Sequence, residues 1–188
     1  MEKAIKEVRL TELRALENEE MVIEGYAVVF ESPATHYGYT EVVDKNAFNT
    51  CDMRDVCLRY NHNDGFLNLA RTRNKSLQLT VDDKGLKIRA VLIDTTQNRD
   101  IYKMIQSGLL DKMSFAFTVS KEEWDFETDT RRILEIDKLF DVSVVDVPFY
   151  ESTEVYARNK ENYEEEKEKY NQRKLEFAKE KMKLLLSL

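Results

Sequence analysis

Only two histidines occur in the 188-residue chain, so any imidazole-based proton transfer falls to His36 or His62. His36 lies in the turn-rich stretch Pro33-Ala34-Thr35-His36-Tyr37-Gly38, whereas His62 directly follows an apolar run, Val56 to Tyr60, that can fix its position. By elimination His62 is the better base. Ser114 stands in Lys112-Met113-Ser114-Phe115-Ala116-Phe117, where strand alternation sends Met113, Phe115 and Phe117 to one face and Ser114 and Ala116 to the other. A nucleophile needs that combination of an anchored backbone and an unobstructed Oγ. The chain has eight serines, and the residues alone leave Ser114 one plausible nucleophile among them. Asp141, in Leu139-Phe140-Asp141-Val142-Ser143-Val144, shares a face with Ser143 opposite Phe140, Val142 and Val144. Beside His62 it would hold one imidazole tautomer and stabilise the imidazolium. The pattern by itself does not separate that role from a carboxylate at a sheet rim.

The elements that must position these groups read as mostly β. Met21 to Phe30 is a strand with Gly25 as a possible bulge, and Val56 to Tyr60 is a second, ending in the polar loop Asn61 to Gly65. Leu77 to Val81 and Leu86 to Leu92 flank Asp82-Asp83-Lys84-Gly85 as a hairpin. Ile101, Met104 and Ile105 recur at helical spacing between capping threonines and Gly108, so Thr96 to Ser107 is a helix. Strands resume over Met113 to Trp124 and Ile133 to Val147, Pro148 closes the run, and Val155 to Ala157 is a candidate edge strand. From Asn159 onward Glu, Lys and Arg dominate without Gly or Pro, which is a helix-favouring mixture. This divides the chain into a β domain, 1–158, and a charged helical tail, 159–188. Tyr163, Tyr170, Phe177 and Leu184 recur every seven residues, but Glu166, Arg173, Glu180 and Ser187 stand where a coiled coil would carry its second apolar row. The pattern suits a helix laying a narrow stripe on its own domain or a partner.

A formal net charge of -7 argues against nucleic acid as a main partner, since binding to a phosphate backbone needs a cationic surface. No stretch has the roughly 20 apolar residues of a membrane span, and Met1 to Leu10 carries charges where a signal peptide would be apolar. The expectation is a protein of the reducing cytosol with Cys51 and Cys57 as free, partly buried thiols. Two further constellations are weaker. A serine–lysine dyad would use Lys112 or Lys103, but the Lys112 side chain would run parallel to that of Ser114. A zinc site from His36, Cys51, Cys57 and His62 lacks the close cysteine pair of structural zinc.

Several segments in order resemble the prohead proteases of tailed bacteriophages, enzymes distantly like herpesvirus assemblin. They are Gly25-Tyr26-Ala27-Val28-Val29-Phe30, Asn46-Ala47-Phe48, Asn61-His62-Asn63, Asp82-Asp83-Lys84-Gly85-Leu86, Arg99-Asp100, Met113-Ser114-Phe115-Ala116-Phe117 and Phe140-Asp141-Val142-Ser143-Val144. The resemblance implies a compact β-barrel flanked by helices, an α+β fold, with His62 and Ser114 as catalytic histidine and serine. The third member falls on Asp141, where the family usually has the glutamate of Glu-Val-Ser. Ala116 and Ala70-Arg71-Thr72 replace a usual glycine and Gly-Arg-Thr, in segments that bear on the oxyanion donors. Backbone amides or the loop of Arg71 and Arg73 are candidates for that role. The implied substrates are the phage scaffold, the N-terminal segment of the major capsid protein and the protease itself, within proheads assembling in the bacterial cytoplasm. Self-association is possible, and no cofactor is implied. A rival reading keeps the fold as a non-enzymatic, scaffold-like assembly module that docks through its charged helix.

Overall fold

Residues rich in Val, Ile and aromatics, alternating with polar ones, form two long strands that frame the molecule. β9 (Lys112–Asp125) and β10 (Thr130–Val145) pair antiparallel along almost their whole length in a computed structural model that describes residues 7–16, 20–36, 38–65, 68–146 and 153–186. Their turn is held by Asp125, whose side chain accepts from the backbone N–H groups of Glu127 and Thr128.

The outer edge of β10 serves two parallel partners. β4 (Tyr39–Val43) pairs with its first residues and β5 (Cys57–Tyr60) with its last. The chain between them follows the bulged middle of β10, with Asp52 N–H donating to Asp137 O at 2.8 Å and Ile136 N–H to Ala47 O at 2.8 Å. β3 (Ala34–His36) extends this sheet beyond β4, and β6 (Ala70–Arg71) borders β5.

On the other side, β1 (Glu7–Leu16) joins two sheets. Glu7 to Glu12 pair with β9, and Leu13 to Leu16 pair with β2 (Val22–Val29). β2 continues to β8 (Gly85–Val91) and β7 (Leu77–Val81). The expected mostly-β fold with flanking helices is what forms. Among the described residues its strand path runs open from β3 to β7 and does not close into a ring. Between the sheets lies one apolar cluster that includes Leu13, Ile23, Leu58, Leu86, Ile88, Met113, Phe115, Phe117, Val142 and Val144.

The hairpin expected around Asp82 to Gly85 is present, but the bulge is not at Gly25. That residue pairs regularly with Leu13 and Ile88, and the register shifts between Tyr26 and Val28. The glycine that matters there is Gly85, where a Cβ would lie 2.0 Å from the Val28 carbonyl oxygen. α1 (Thr96–Gln106) is capped by Thr95, whose side chain accepts from Asn98 N–H. Asn98, Ile101, Tyr102 and Ile105 are its buried residues, while Met104, expected with the two isoleucines, is exposed.

Val155 to Ala157 are helical rather than an edge strand, because α2 (Thr153–Leu186) has already begun. Pro148 falls outside the described residues. At 1.5 Å per residue α2 is about 50 Å long, and its early heptad positions dock on the turn between β9 and β10. The Tyr163 ring lies 5.3 Å from Tyr39 and 5.4 Å from Trp124, and that of Tyr170 lies 5.3 Å from Phe126. Tyr163 OH and Lys167 Nζ both donate to Asp129 Oδ1 at 2.7 Å. Beneath this cluster the buried Arg131 bridges Glu41 and Glu122. Phe177, the next residue of the stripe, is 71% exposed, so the stripe laid on the chain's own domain stops after Tyr170.

Trp124 is the chain's one tryptophan and reports this docking. Tyr163→Ala is expected to red-shift its emission and lower stability by about 2–4 kcal/mol, read by fluorescence during urea unfolding. Hydrogen bonds from Lys167 and Tyr163 hold the Asp129 carboxyl below its ordinary range. Its contribution is therefore complete above the unfolded value near 4 and is lost as pH falls through the lower folded value. The emission of Trp124 is accordingly expected to stay constant from neutral pH to about pH 4 and to shift only in stronger acid.

Candidate active site

The phase of β10 against β9 decides which side chains share a face. Leu139 lies opposite Phe117, but Asp141 lies opposite Ala116, so Phe140 is an extra residue in a β-bulge. Were the pairing regular, with Phe140 opposite Ala116, Asp141 would lie against Phe115 and turn toward the apolar cluster. With it, Asp141 and Ser143 take the face of Ala116 and Ser114, and Ser143 is the cross-strand partner of Ser114. Such partners sit about 5 Å apart on one face. Phe140, expected on the core face with Val142 and Val144, is only partly buried, and Lys138 Nζ lies 5.2 Å from its ring centroid. On the opposite edge of β10, Cys57 and Arg59 of β5 are the register partners of Asp141 and Ser143.

His62 reaches this face from the end of β5. Asn61 N–H donates to Val144 O at 2.9 Å, extending the parallel ladder, and the chain then turns sharply. Asn61 and His62 have φ of 50° and 53°, a left-handed conformation that costs L residues roughly 1–2 kcal/mol each. Hydrogen bonds offset it. Asp146 N–H donates to Asn61 Oδ1 at 3.2 Å, Tyr60 OH to Asp146 Oδ2 at 2.9 Å, and His62 N–H to Ser143 Oγ at 3.2 Å.

The turn returns the imidazole over the sheet, where His62 Nδ1 lies 2.5 Å from Asp141 Oδ1. Asp141 is fully buried, and a carboxylate is held away from water only with partners. His62 and the Ser143 hydroxyl, which donates at 2.9 Å, supply them. Because the carboxylate accepts, Nδ1 carries the proton and Nε2 presents a lone pair. His62 Nε2 and Ser114 Oγ are both shielded from solvent, and neither has a hydrogen-bond partner. Leaving such groups unpaired costs about 1–3 kcal/mol apiece. A basic nitrogen and a hydroxyl left unsatisfied on one buried face can exchange a proton with each other or with a bound substrate.

The structure therefore brings His62 and Asp141 into contact and sets Ser114 on their face, one rung across from Ser143. His36 lies in β3, which borders the start of β10 through β4, roughly 30 Å along the strand from Asp141. Lys103 is on the exposed side of α1, and Lys112 pairs with Asp111. Arg71 forms a two-point ion pair with Asp55, and Arg73 lies 3.2 Å from the same carboxylate. Cys51 and Cys57 are free thiols, and burial pushes that of Cys51 up to about 12.

Two further residues border this face. Ser143 stands two positions from a candidate acid on one strand, a spacing that already puts both on one face. Arg59, ion-paired with Asp64, keeps a buried Nε without a hydrogen-bond partner beside Ser143; no sequence pattern marks it.

Residues 8–168 match the sequence model of a family described as Caudovirus prohead serine protease. No curated protein matches the chain. Among solved structures, the bacteriophage T4 capsid assembly protease superimposes with a TM-score of 0.52 over 78% of this chain and 100% of its own, at 12% identity. At that identity the likeness is one of fold.

Replacing His62 by Ala withdraws the nearest partner of a wholly buried carboxylate. The expected cost is about 3 kcal/mol in urea unfolding at neutral pH, whereas a change below about 0.5 kcal/mol, usual for an exposed site, would contradict the buried pairing.

Proposed function

Because the chain belongs to the Caudovirus prohead serine protease family, we propose that Ser114 is its nucleophile, His62 its general base and Asp141 the residue that orients His62. The observation that carries this reading is the pair of buried, unpartnered atoms, Ser114 Oγ and His62 Nε2, on the face where Nδ1 is held by Asp141. In the first step Ser114 Oγ bonds to the carbonyl carbon of a peptide, and its proton passes to Nε2. The imidazolium so formed is stabilised by the buried carboxylate. It then protonates the leaving amine as the C–N bond breaks, which leaves an acyl-enzyme. Water attacks the ester, gives a proton to Nε2, and Ser114 recovers its hydrogen as the acid departs. Both reacting atoms are shielded from solvent.

A second arrangement is favoured by one contact, since Ser143 Oγ lies 3.2 Å from His62 Nδ1. As nucleophile, Ser143 would have to give its proton to Nδ1. Its hydrogen is instead directed to Asp141 Oδ1, and its oxygen already accepts from His62 N–H, so the primary reading stands.

The substrates we assign are the scaffold, the N-terminal segment of the major capsid protein and the enzyme's own chain, cut inside the assembling prohead in the host cytoplasm. Among the described residues no helix is long and apolar enough to cross a membrane. The distal half of α2, where Leu175, Phe177 and Met182 are exposed beyond the docked tyrosines, suits a tether of the enzyme to scaffold or capsid.

In cells assembling proheads, Ser114→Ala is expected to abolish scaffold cleavage with the fold intact. Asp141→Asn is expected to lower kcat by about 10³- to 10⁴-fold through the wrong imidazole tautomer. Scaffold processed at the wild-type rate by the Ser114→Ala chain would contradict the assignment of Ser114 as nucleophile. A chain ending at Lys174 keeps the docked tyrosines; it is expected to cleave peptides normally but to be depleted from proheads in a packaging assay, and normal packaging would remove the tether role.

A further inference from the structure

We infer that Ser143 is a positioning residue for His62, a clamp that fixes the imidazole, the backbone beneath it and the carboxylate beside it through one oxygen atom. The inference rests on the reading of Ser114 as nucleophile.

A serine hydroxyl offers one hydrogen and two lone pairs. Three groups surround Ser143 Oγ: Asp141 Oδ1 at 2.9 Å, His62 N at 3.2 Å and His62 Nδ1 at 3.2 Å. An ionised carboxylate only accepts, so the hydrogen goes to Asp141 and the lone pairs face the two N–H groups of His62. The assignment uses every valence of the oxygen. It also makes the Nδ1 proton shared, chiefly held by Asp141 at 2.5 Å and steadied by Ser143.

Each contact restrains a different freedom. The bond from His62 N–H holds a left-handed residue that would otherwise relax toward extended backbone. The contact to Nδ1 resists rotation of the ring, and the bond to Asp141 selects the carboxylate rotamer that meets it. Because Ser143 and Ser114 are cross-strand partners, one rung of the β9–β10 ladder carries both the clamp and the nucleophile. The position of Nε2 relative to Ser114 Oγ is thereby tied to the ladder and not to the loop that carries His62. Displacing a reacting group by about 1 Å can cost on the order of 100-fold in rate.

The test compares full-length wild type, Ser143→Ala and Ser143→Thr by the rate at which a fluorophosphonate modifies Ser114, followed by intact mass and peptide mapping. Ser143→Ala is expected to react at least about tenfold more slowly, and Ser143→Thr, which keeps the oxygen, to recover to within a few-fold of wild type. A second readout is the downfield proton resonance of the His62 ring N–H, assigned in a His36→Gln background because only two histidines are present. It is expected to persist in the Thr variant and to move or exchange away in the Ala variant. An Ala variant with wild-type rate and resonance, or a folded Thr variant as slow as Ala, overturns the inference. Should the Ala variant fail to fold, Ser143→Cys fills the same space with a poor hydrogen-bonding atom; it is expected to show the same loss, and a wild-type rate overturns the clamp. Modification of Ser143 itself in the wild-type chain would instead overturn the reading of Ser114, so the two failures are distinguishable.

Discussion

The extra residue at Phe140 is the constraint on which the site depends. A strand has a period of two, so one inserted residue exchanges the faces of everything beyond it. Before the bulge, Leu139 faces the apolar cluster with Phe117; after it, Val142 and Val144 take that side while Asp141 and Ser143 turn to the opposite face. There they meet Ser114 and Ala116. Packing makes the exchange stable, since Met113, Phe115 and Phe117 are buried on one side of β9 and small residues occupy the other. Any slip of one residue would set Asp141 among hydrocarbon side chains and part it from His62 and Ser143, leaving a buried carboxylate without partners, a penalty large enough to hold the register.

Unfavourable local terms then concentrate where the chemistry is proposed. Two consecutive left-handed residues, a fully buried carboxylate and unsatisfied polar atoms that include His62 Nε2, Ser114 Oγ and Arg59 Nε fall within one small region. Natural folds tolerate such costs where the surroundings over-determine the geometry. Here they do so through the paired ends of β5 and β10, the Asp146 bonds and the hydroxyl of Ser143. The opposite end of β10 has a separate role, because the turn before Thr130 receives Tyr163, Lys167 and Tyr170 of α2. One strand thus carries the carboxylate proposed to orient His62 near its C-terminal end and the helix platform at its start.

Much of this is legible in the sequence, for physical reasons that differ between elements. The hairpin at Asp82 to Gly85, α1 with its threonine cap, and β9 with its large and small faces follow from periodicity and turn chemistry, which are local. The scarcity of histidine singles out His62. β1 escapes a reading by pattern because its charged residues mask a strand whose first half, Glu7 to Glu12, pairs with the distant β9. β3, β4 and β6 are short, and their identity comes from neighbours on β10 and β5 rather than from their own pattern. Alternation correctly puts Asp141 with Ser143, yet it cannot reveal the bulge that brings them to the face of Ser114. The left-handed turn at Asn61 and His62 also has no signature, since neither residue is glycine and the bonds that hold the turn come from Ser143 and Asp146, far along the chain.

The most direct test of the proposed reacting pair is an experimental structure of the chain after covalent modification by a peptidyl phosphonate. Phosphorus is expected to be bonded to Ser114 Oγ, with His62 Nε2 within about 3 Å of an oxygen of the adduct and Nδ1 still on Asp141. Phosphorus on Ser143, or an imidazole turned away from Ser114 with Nδ1 released from Asp141, would contradict the assignment.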